Sequence, residues 1–248
     1  MLGDRSILKS YNSDTILTES DERKKIEQPS YEKIYEGREI ILTKEFDGIV
    51  LNNNLKDILD NRKSVREYSG QPLKLNELAY VLWYTYGVKA VLGTKRKATL
   101  RTVPSAGARH CLETYFIANN VEGLEQGLYH YNGVTHGITL VKKLLNSCKE
   151  ASGIAAGQEF IQGCNVLFIW TCIPYRMEWR YPDVALKYAL IDAGHLCENL
   201  YIAGASIECG VCGIGAYYQD LADSLLEINM NKDNSEVTVY MASFGKRQ

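Results

Sequence analysis

The chain has 248 residues, 46% hydrophobic and 23% charged, enough for one substantial core with an arm attached. Its 28 basic and 30 acidic side chains leave a formal charge of −2, so no global field draws it to nucleic acid or to an anionic membrane. Any anion it binds has to be gripped by a local cluster of Arg and Lys. Residues 1–45 are polar and mixed in sign and read as an N-terminal arm, leaving 46–248 as the main domain. The first residues lack a long apolar run, so a secretory signal is not expected. Seven scattered cysteines, an odd number, then read as reduced thiols in a cytoplasm.

In chain order, Ile40, Ile41 and Leu42 suggest that the end of the arm docks on the body. Apolar spacing predicts a helix over 47–59. An extended segment, 61–70, follows and closes on Gly70. Asn76 is a candidate N-cap for a helix carrying Leu78, Val81, Leu82 and Trp83, with Gly87 as its stop. A basic loop leads to Arg101. Strands are predicted at 112–118 and 165–173, with a hairpin of 127–131 and 137–141 around Asn132-Gly133. The longest apolar stretch, 184–207, carries Lys187, Asp192, His195 and Glu198, which a bilayer would penalise; it reads as a buried helix over 182–205. A glycine-rich turn at 212–217, a helix over 221–228 and a last strand over 236–244 complete the chain. Strands and helices interleave without regular βαβ repeats, so the fold class is α+β.

Four constellations carry chemistry. In Arg62-Lys63-Ser64-Val65-Arg66, an extended backbone would turn Arg62, Ser64 and Arg66 to one side, where two forked donors and a hydroxyl suit a phosphate monoester; the alternative is a solvated basic turn. Pro104-Ser105-Ala106-Gly107-Ala108-Arg109-His110 offers small residues that let a flat ring approach, with Ser105 and Arg109 as donors, or else an ordinary turn before a strand. Gly213-Ile214-Gly215-Ala216-Tyr217 could set backbone N–H groups against a heteroaromatic edge, though neither GxGxxG nor a P-loop occurs. Asp192, His195 and Asn199 share one helix face, as a polar network or a catalytic pair. His130 and His136 read as surface or turn residues of the hairpin. Cys209 and Cys212 have CxxC spacing but no second pair, which favours packing over zinc or redox chemistry.

The order of these pieces resembles the SagB-type dehydrogenases of the nitroreductase superfamily. Arg-x-Ser-x-Arg is followed by Pro-Ser-x-Gly-x-Arg-His-x-x-Glu ending at Glu113, by Gly-Leu-Tyr-His-Tyr ending at Tyr131, and by Gly157-Gln158-x-Phe160-Ile161. Trp179-Arg180-Tyr181, the Asp192–His195–Asn199 segment and Ile214-Gly215-Ala216-Tyr217 continue the match, which runs over residues 29–247. The resemblance implies a mostly antiparallel central sheet flanked by helices, in an intertwined homodimer with FMN at the interface. It implies that Arg62, Lys63, Ser64 and Arg66 hold the FMN phosphate, with Lys246 or Arg247 closing that site. Ser105, Ala106, Arg109 and Gln158 would meet the flavin, and Ile214, Gly215 and Ala216 would run along its reactive edge. The implied activity is hydride transfer from NAD(P)H through flavin to a nitro compound or quinone. The alternatives are an azoline-to-azole dehydrogenase acting on a modified peptide, and a non-catalytic flavin-binding protein. Azoline-oxidising members carry a Lys-Tyr pair where this chain has Arg180-Tyr181, and Arg does not readily release its proton. Tyr181 remains the candidate catalytic residue.

Overall fold

The computed structural model describes residues 19–230 and 235–248. Its centre is a seven-stranded, wholly antiparallel sheet. The strands are β1 (Glu39–Ile41), β4 (Leu112–Ala118), β5 (Gly127–Asn132), β6 (Gly137–Lys143), β7 (Val166–Cys172), β8 (Cys209–Ile214) and β9 (Val237–Lys246). They lie in the order β1-β6-β5-β4-β7-β9-β8, while β2 (Val88–Leu92) and β3 (Ala98–Arg101) form a separate hairpin.

Alternation on β4 and β7 builds two cores, one on each face. Phe116, Phe168 and Trp170 face the layer of α2 (Leu75–Tyr86) and α5 (Ala185–Ser206). Tyr115, Ile117, Leu167 and Ile169 face α3 (Ser147–Ile154) and α6 (Gln219–Leu226). Both strands are buried on both sides, and β7 reads accordingly as a short apolar run. Two short helices complete the chain, α1 (Leu55–Asp60) and α4 (Pro174–Glu178). No helix among the described residues is long and apolar enough to cross a membrane.

Several sequence expectations are corrected. The basic stretch read as a loop contains the β2–β3 hairpin. The helix read over 47–59 begins only at Leu55, capped by Asn54, whose side chain accepts from the Asp57 N–H at 3.2 Å. α2 starts before Asn76, and the Glu77 carboxylate accepts from the Lys74 N–H at 2.9 Å. His130 and His136 are buried: His130 Nε2 bonds Glu113 at 2.8 Å, and His136 bonds the Tyr131 hydroxyl at 2.8 Å and the Thr43 carbonyl at 2.9 Å. By contrast, and in keeping with the packing reading, Cys209 and Cys212 are both buried in β8, where burial pushes the Cys209 thiol up to about 12.

Residues 19–45 lie along the body and supply β1 as an edge strand on β6. Lys33 donates to Glu236 and to the Tyr115 hydroxyl, each at 2.7 Å. Beneath it, Glu113 accepts from Arg176 at 2.5 Å and bonds His130, so an ion pair is sealed inside the sheet layer.

Candidate functional site

Segment 61–70 has no regular structure beyond an isolated antiparallel bridge between Tyr68 and Arg247, and it is pinned by the Val65 N–H donating to the Val211 carbonyl at 2.8 Å. Val65 packs on Gly210, where a Cβ would meet the Val65 side chain at 2.5 Å; only glycine allows so close an approach. Arg62 and Ser64 both reach Tyr201 of α5. The guanidinium stands 5.4 Å from the ring centre, and the two hydroxyls are 3.0 Å apart. Arg66 lies over Phe160 at 5.9 Å. Lys63, Ser64, Arg66 and Arg247 border one cavity of about 480 Å³, with Arg62 on an adjoining cleft beside Tyr201 and Arg247. Among the described residues no carboxylate pairs with Arg62, Lys63 or Arg66. Lys246, by contrast, is ion-paired with Glu77 at 2.5 Å, so of the two C-terminal basic residues it is Arg247 that borders the cavity.

The basic cluster is joined to the glycine-rich segment by two contacts. Tyr201 Oη accepts from the Gly213 N–H at 2.9 Å, and Gln158, two residues from Phe160, donates to the Ala216 carbonyl at 3.0 Å. Ile214 is the buried end of β8, while Gly215 and Ala216 are exposed, with open space where a Gly215 Cβ would stand. Glu67 and the C-terminal Gln248 border the same cavity, but a basic cluster whose Arg62, Lys63 and Arg66 have no ion-pair partner among the described residues, next to an open backbone, fits a phosphate-bearing planar group.

Ser105, Ala106 and Arg109 lie elsewhere. Residues Ala106–Ala108 make a single 3-10 turn in which Gly107 (φ +56°), Ala108 (φ +53°) and nearby His110 (φ +45°) are left-handed. Two non-glycine residues so placed store strain, a feature that clusters at functional sites. Ser105 Oγ accepts from the His110 N–H at 2.9 Å, and Asp192 of α5 lies beside Ser105 and Ala106 with its Oδ2 buried and without a hydrogen-bond partner among the described residues. A Cβ on Gly107 would meet the Tyr181 hydroxyl at 2.6 Å, so glycine is what lets Tyr181 lie on this turn. Arg109 is buried and turned inward, donating to the Lys97 carbonyl at 3.1 Å and standing 5.4 Å from the Trp179 ring centre. His195 is exposed, and Asn199 donates to the Tyr84 and Thr102 carbonyls, so the helix-face trio is not one network.

Asp192 and Tyr201 are nine residues apart on α5, which is about 13.5 Å along the axis and half a turn round it. The Ser105 and Arg62 clusters thus sit on opposite faces of one helix. Sequence reasoning did not find Tyr201 or Phe160, because nothing local in a tyrosine or phenylalanine marks it as the platform for a distant arginine.

Burial raises Asp192 to about 6 from its ordinary value near 3.8, against the smaller opposing pull of Ser105, His195 and the Ala106 N–H. The native state therefore holds a proton across that window that the unfolded chain has released, so this stability is present at low pH and is lost as pH rises through about 6. Asp192→Asn imitates the neutral acid. It is expected to raise stability at pH 7–8 by about 1 kcal/mol, or roughly 2–4 °C in Tm, with the gain vanishing below about pH 4. Thermal melts of both proteins across pH check this; a gain that persists in acid would place the cause elsewhere.

Comparison with known proteins fits this architecture. The nitroreductase family model matches residues 59–246. MJ1384 of Methanocaldococcus jannaschii, which carries a nitroreductase name, is 35% identical over 175 residues, 70% of this chain and 84% of its own. The trifolitoxin-processing protein TfxB of Rhizobium leguminosarum bv. trifolii is 27% identical over 134 residues, 52% of this chain, which spans 36% of that protein. Among solved structures, one from Anabaena variabilis, also under a nitroreductase name, aligns over 95% of this chain and 44% of its own with a TM-score of 0.71 at 23% identity. The NADPH:FMN oxidoreductase of Vibrio harveyi, complexed with NAD+, aligns over 79% of this chain and 70% of its own with a TM-score of 0.53 at 13% identity. A family match that takes in the Arg62 segment, the strained turn, the long helix and β8 together leaves one conclusion: the chain belongs to the nitroreductase family and is an oxidoreductase.

Proposed function

We propose that residues 46–248 form an FMN-binding domain, and that the chain works as a cytoplasmic homodimer passing electrons from NAD(P)H to a small acceptor such as a nitro compound or quinone. The observation that carries this reading is the cluster of Arg62, Lys63, Ser64, Arg66 and Arg247, free of carboxylate partners among the described residues and contiguous with the open Gly215–Ala216 backbone. The two arginines would supply forked donors to the phosphate, and the Ser64 hydroxyl a neutral one. Ile214, Gly215 and Ala216, tied by Gln158, would line the ring edge. Bound flavin supplies hydride acceptance and donation, the chemistry that side chains lack. The name of the Vibrio harveyi relative supports FMN as the flavin.

The homodimer reading follows from the two clusters lying on opposite faces of α5. A second copy could bring the Ser105–Ala106–Arg109 turn of one protomer to the Arg62 cluster of its partner. Leu186, Leu190 and Ile191 leave α5 with an exposed apolar face, and a groove of about 610 Å³ lined by Leu55, Tyr80, Tyr84 and Ile202 lies beside the same helix. Light scattering on flavin-loaded protein is expected to give the dimer mass; a monomer mass overturns this part of the reading.

Tyr181 would orient or protonate the reduced acceptor. Tyr181→Phe keeps the ring against Gly107 and removes only the hydroxyl. Reduction by the nicotinamide is expected to survive while turnover with the acceptor slows by roughly tenfold or more. Equal stopped-flow rates in both half-reactions would leave Tyr181 a packing residue.

A second reading, oxidation of azolines in a peptide, is favoured by the likeness to a trifolitoxin-processing protein. Arg180 stands against it: its guanidinium is paired with Glu22 and cannot act as a general base. The deciding experiment is the visible spectrum of the purified protein followed by anaerobic titration with NADH and NADPH. The expected result is FMN that bleaches and turns over. Released FAD, or flavin that neither nicotinamide reduces, overturns the proposal.

A further inference from the structure

We propose that Arg96 and Arg180 form a carboxylate-binding subsite beside Tyr181, and that Glu22 of the N-terminal arm is its built-in occupant. The inference rests on the oxidoreductase reading above and adds the class of acceptor: a small aromatic molecule bearing a carboxylate.

The arm crosses the segment that leads into α5. The Glu22 N–H donates to the Trp179 carbonyl at 2.9 Å, and Trp179 Nε1 donates to the Ile26 carbonyl at 3.1 Å. In that position the two oxygens of the Glu22 carboxylate diverge. One lies 3.2 Å from Arg96 Nη1, on the β2–β3 hairpin, and the other 3.4 Å from Arg180 Nε. Two cations from two separate elements therefore converge on a single carboxylate, and Arg96 also donates to the Glu22 carbonyl at 3.3 Å. Asp21, the adjacent acid, is taken up by the Tyr175 hydroxyl at 2.8 Å.

The placement of this cluster argues against a merely structural ion pair. Arg180 stands 5.4 Å from the Tyr181 ring centre, and the Tyr181 hydroxyl lies on the strained Gly107 turn. A carboxylate in the place of Glu22 is thus one residue from the proposed proton donor. The Glu22 side chain is only 16% exposed, whereas Arg96 and Arg180 are 57% and 39% exposed, so the cations remain open to solvent around their occupant. Guanidinium forks match a carboxylate in shape, and they keep their charge at every working pH. The backbone of the arm is tied to Trp179 at Glu22 and Ile26, so the Glu22 side chain can swing away from the arginines while the arm stays docked. An acceptor carrying a carboxylate competes with Glu22 for the arginines, while a neutral one gains nothing there.

The test uses the purified full chain with its flavin. Steady-state reduction of 4-nitrobenzoate and nitrobenzene is compared in the parent, Glu22→Gln and Arg180→Gln, with melting curves confirming that each variant is folded. Glu22→Gln is expected to raise kcat/KM for 4-nitrobenzoate relative to nitrobenzene by roughly five- to tenfold, and Arg180→Gln to lower that ratio by a similar factor, the scale of a half-exposed carboxylate–guanidinium contact. Calorimetric binding of benzoate against benzamide gives a readout that needs no electron transfer. Tighter benzoate binding by Glu22→Gln and weaker binding by Arg180→Gln support the subsite even if no nicotinamide reduces the protein, an outcome that would sink the oxidoreductase reading alone. Nitrobenzene turnover with benzoate binding unmoved by either variant overturns the subsite and leaves that reading intact.

Discussion

Arg62→Ala combined with Arg66→Ala is expected to yield a folded, colourless protein. Each charge-assisted hydrogen bond to a phosphate contributes roughly 1.5–3 kcal/mol, so losing both guanidiniums weakens retention by about a thousandfold or more. Both side chains are exposed and neither is ion-paired among the described residues, so their removal costs the fold little beyond contacts with Tyr201 and Phe160. The Lys246→Ala variant is the control: Lys246 is committed to Glu77, so it should lose stability before it loses flavin. The ratio of flavin to protein absorbance after dialysis decides. A double variant that stays yellow would mean that the phosphate site lies elsewhere.

The largest stability effect is expected at the sealed pair of Glu113 and Arg176. Burial alone would raise the Glu113 carboxyl, but the Arg176 charge and the His130 hydrogen bond overcome it and bring the group down to about 2. Its stabilisation is therefore present above the ordinary value near 4.5 and is lost as pH falls from there toward 2. Glu113→Gln leaves the Arg176 charge inside, 4% exposed and without its direct ion-pair partner, with Glu236, already paired with Lys33, as a nearby acid, at a cost of about 3–5 kcal/mol and a fall in Tm on the order of 10 °C. Adding Arg176→Met should recover part of that loss, since removing both charges also removes their desolvation cost. A Tm for Glu113→Gln within 2 °C of the parent, a limit set by roughly 1 kcal/mol, would show that the pair is solvated and not sealed.

The strands and long helix were legible because their period is local. The runs at β4 and β7 and the extent of α5 need only neighbouring residues to be recognised. The basic character of the Arg62–Arg66 segment was legible for the same reason, since charge spacing is a local property. What was lost depends on pairing across the fold. The β2–β3 hairpin hides among basic residues because only the body beside it buries Val88 and Thr99. His130 and His136 looked like turn residues, yet Glu113 and Tyr131 give them buried partners. Likewise no sequence pattern separates the Lys246 side chain, tied to Glu77, from its neighbour Arg247 at the cavity.

The place of β9 in the sheet constrains the order in which the molecule can assemble. β9 lies between β7 and β8, so β8 has no neighbour in the sheet until β9 has paired. Yet β8 carries Gly213 and Ile214, and its Val211 carbonyl pins the segment with Arg62 and Arg66. The pairing of β9 with β7, which docks both last strands on the sheet, joins residues far apart in the chain, such as Val166 and Phe244, and is slow because that loop has to close before any contact rewards it. Strands β4, β5 and β6 can zip through near neighbours while the ligand cluster is still a loose chain. Capture of a ligand is therefore a late event in folding, and a ligand that binds only the finished site holds β8 and β9 in place by mass action.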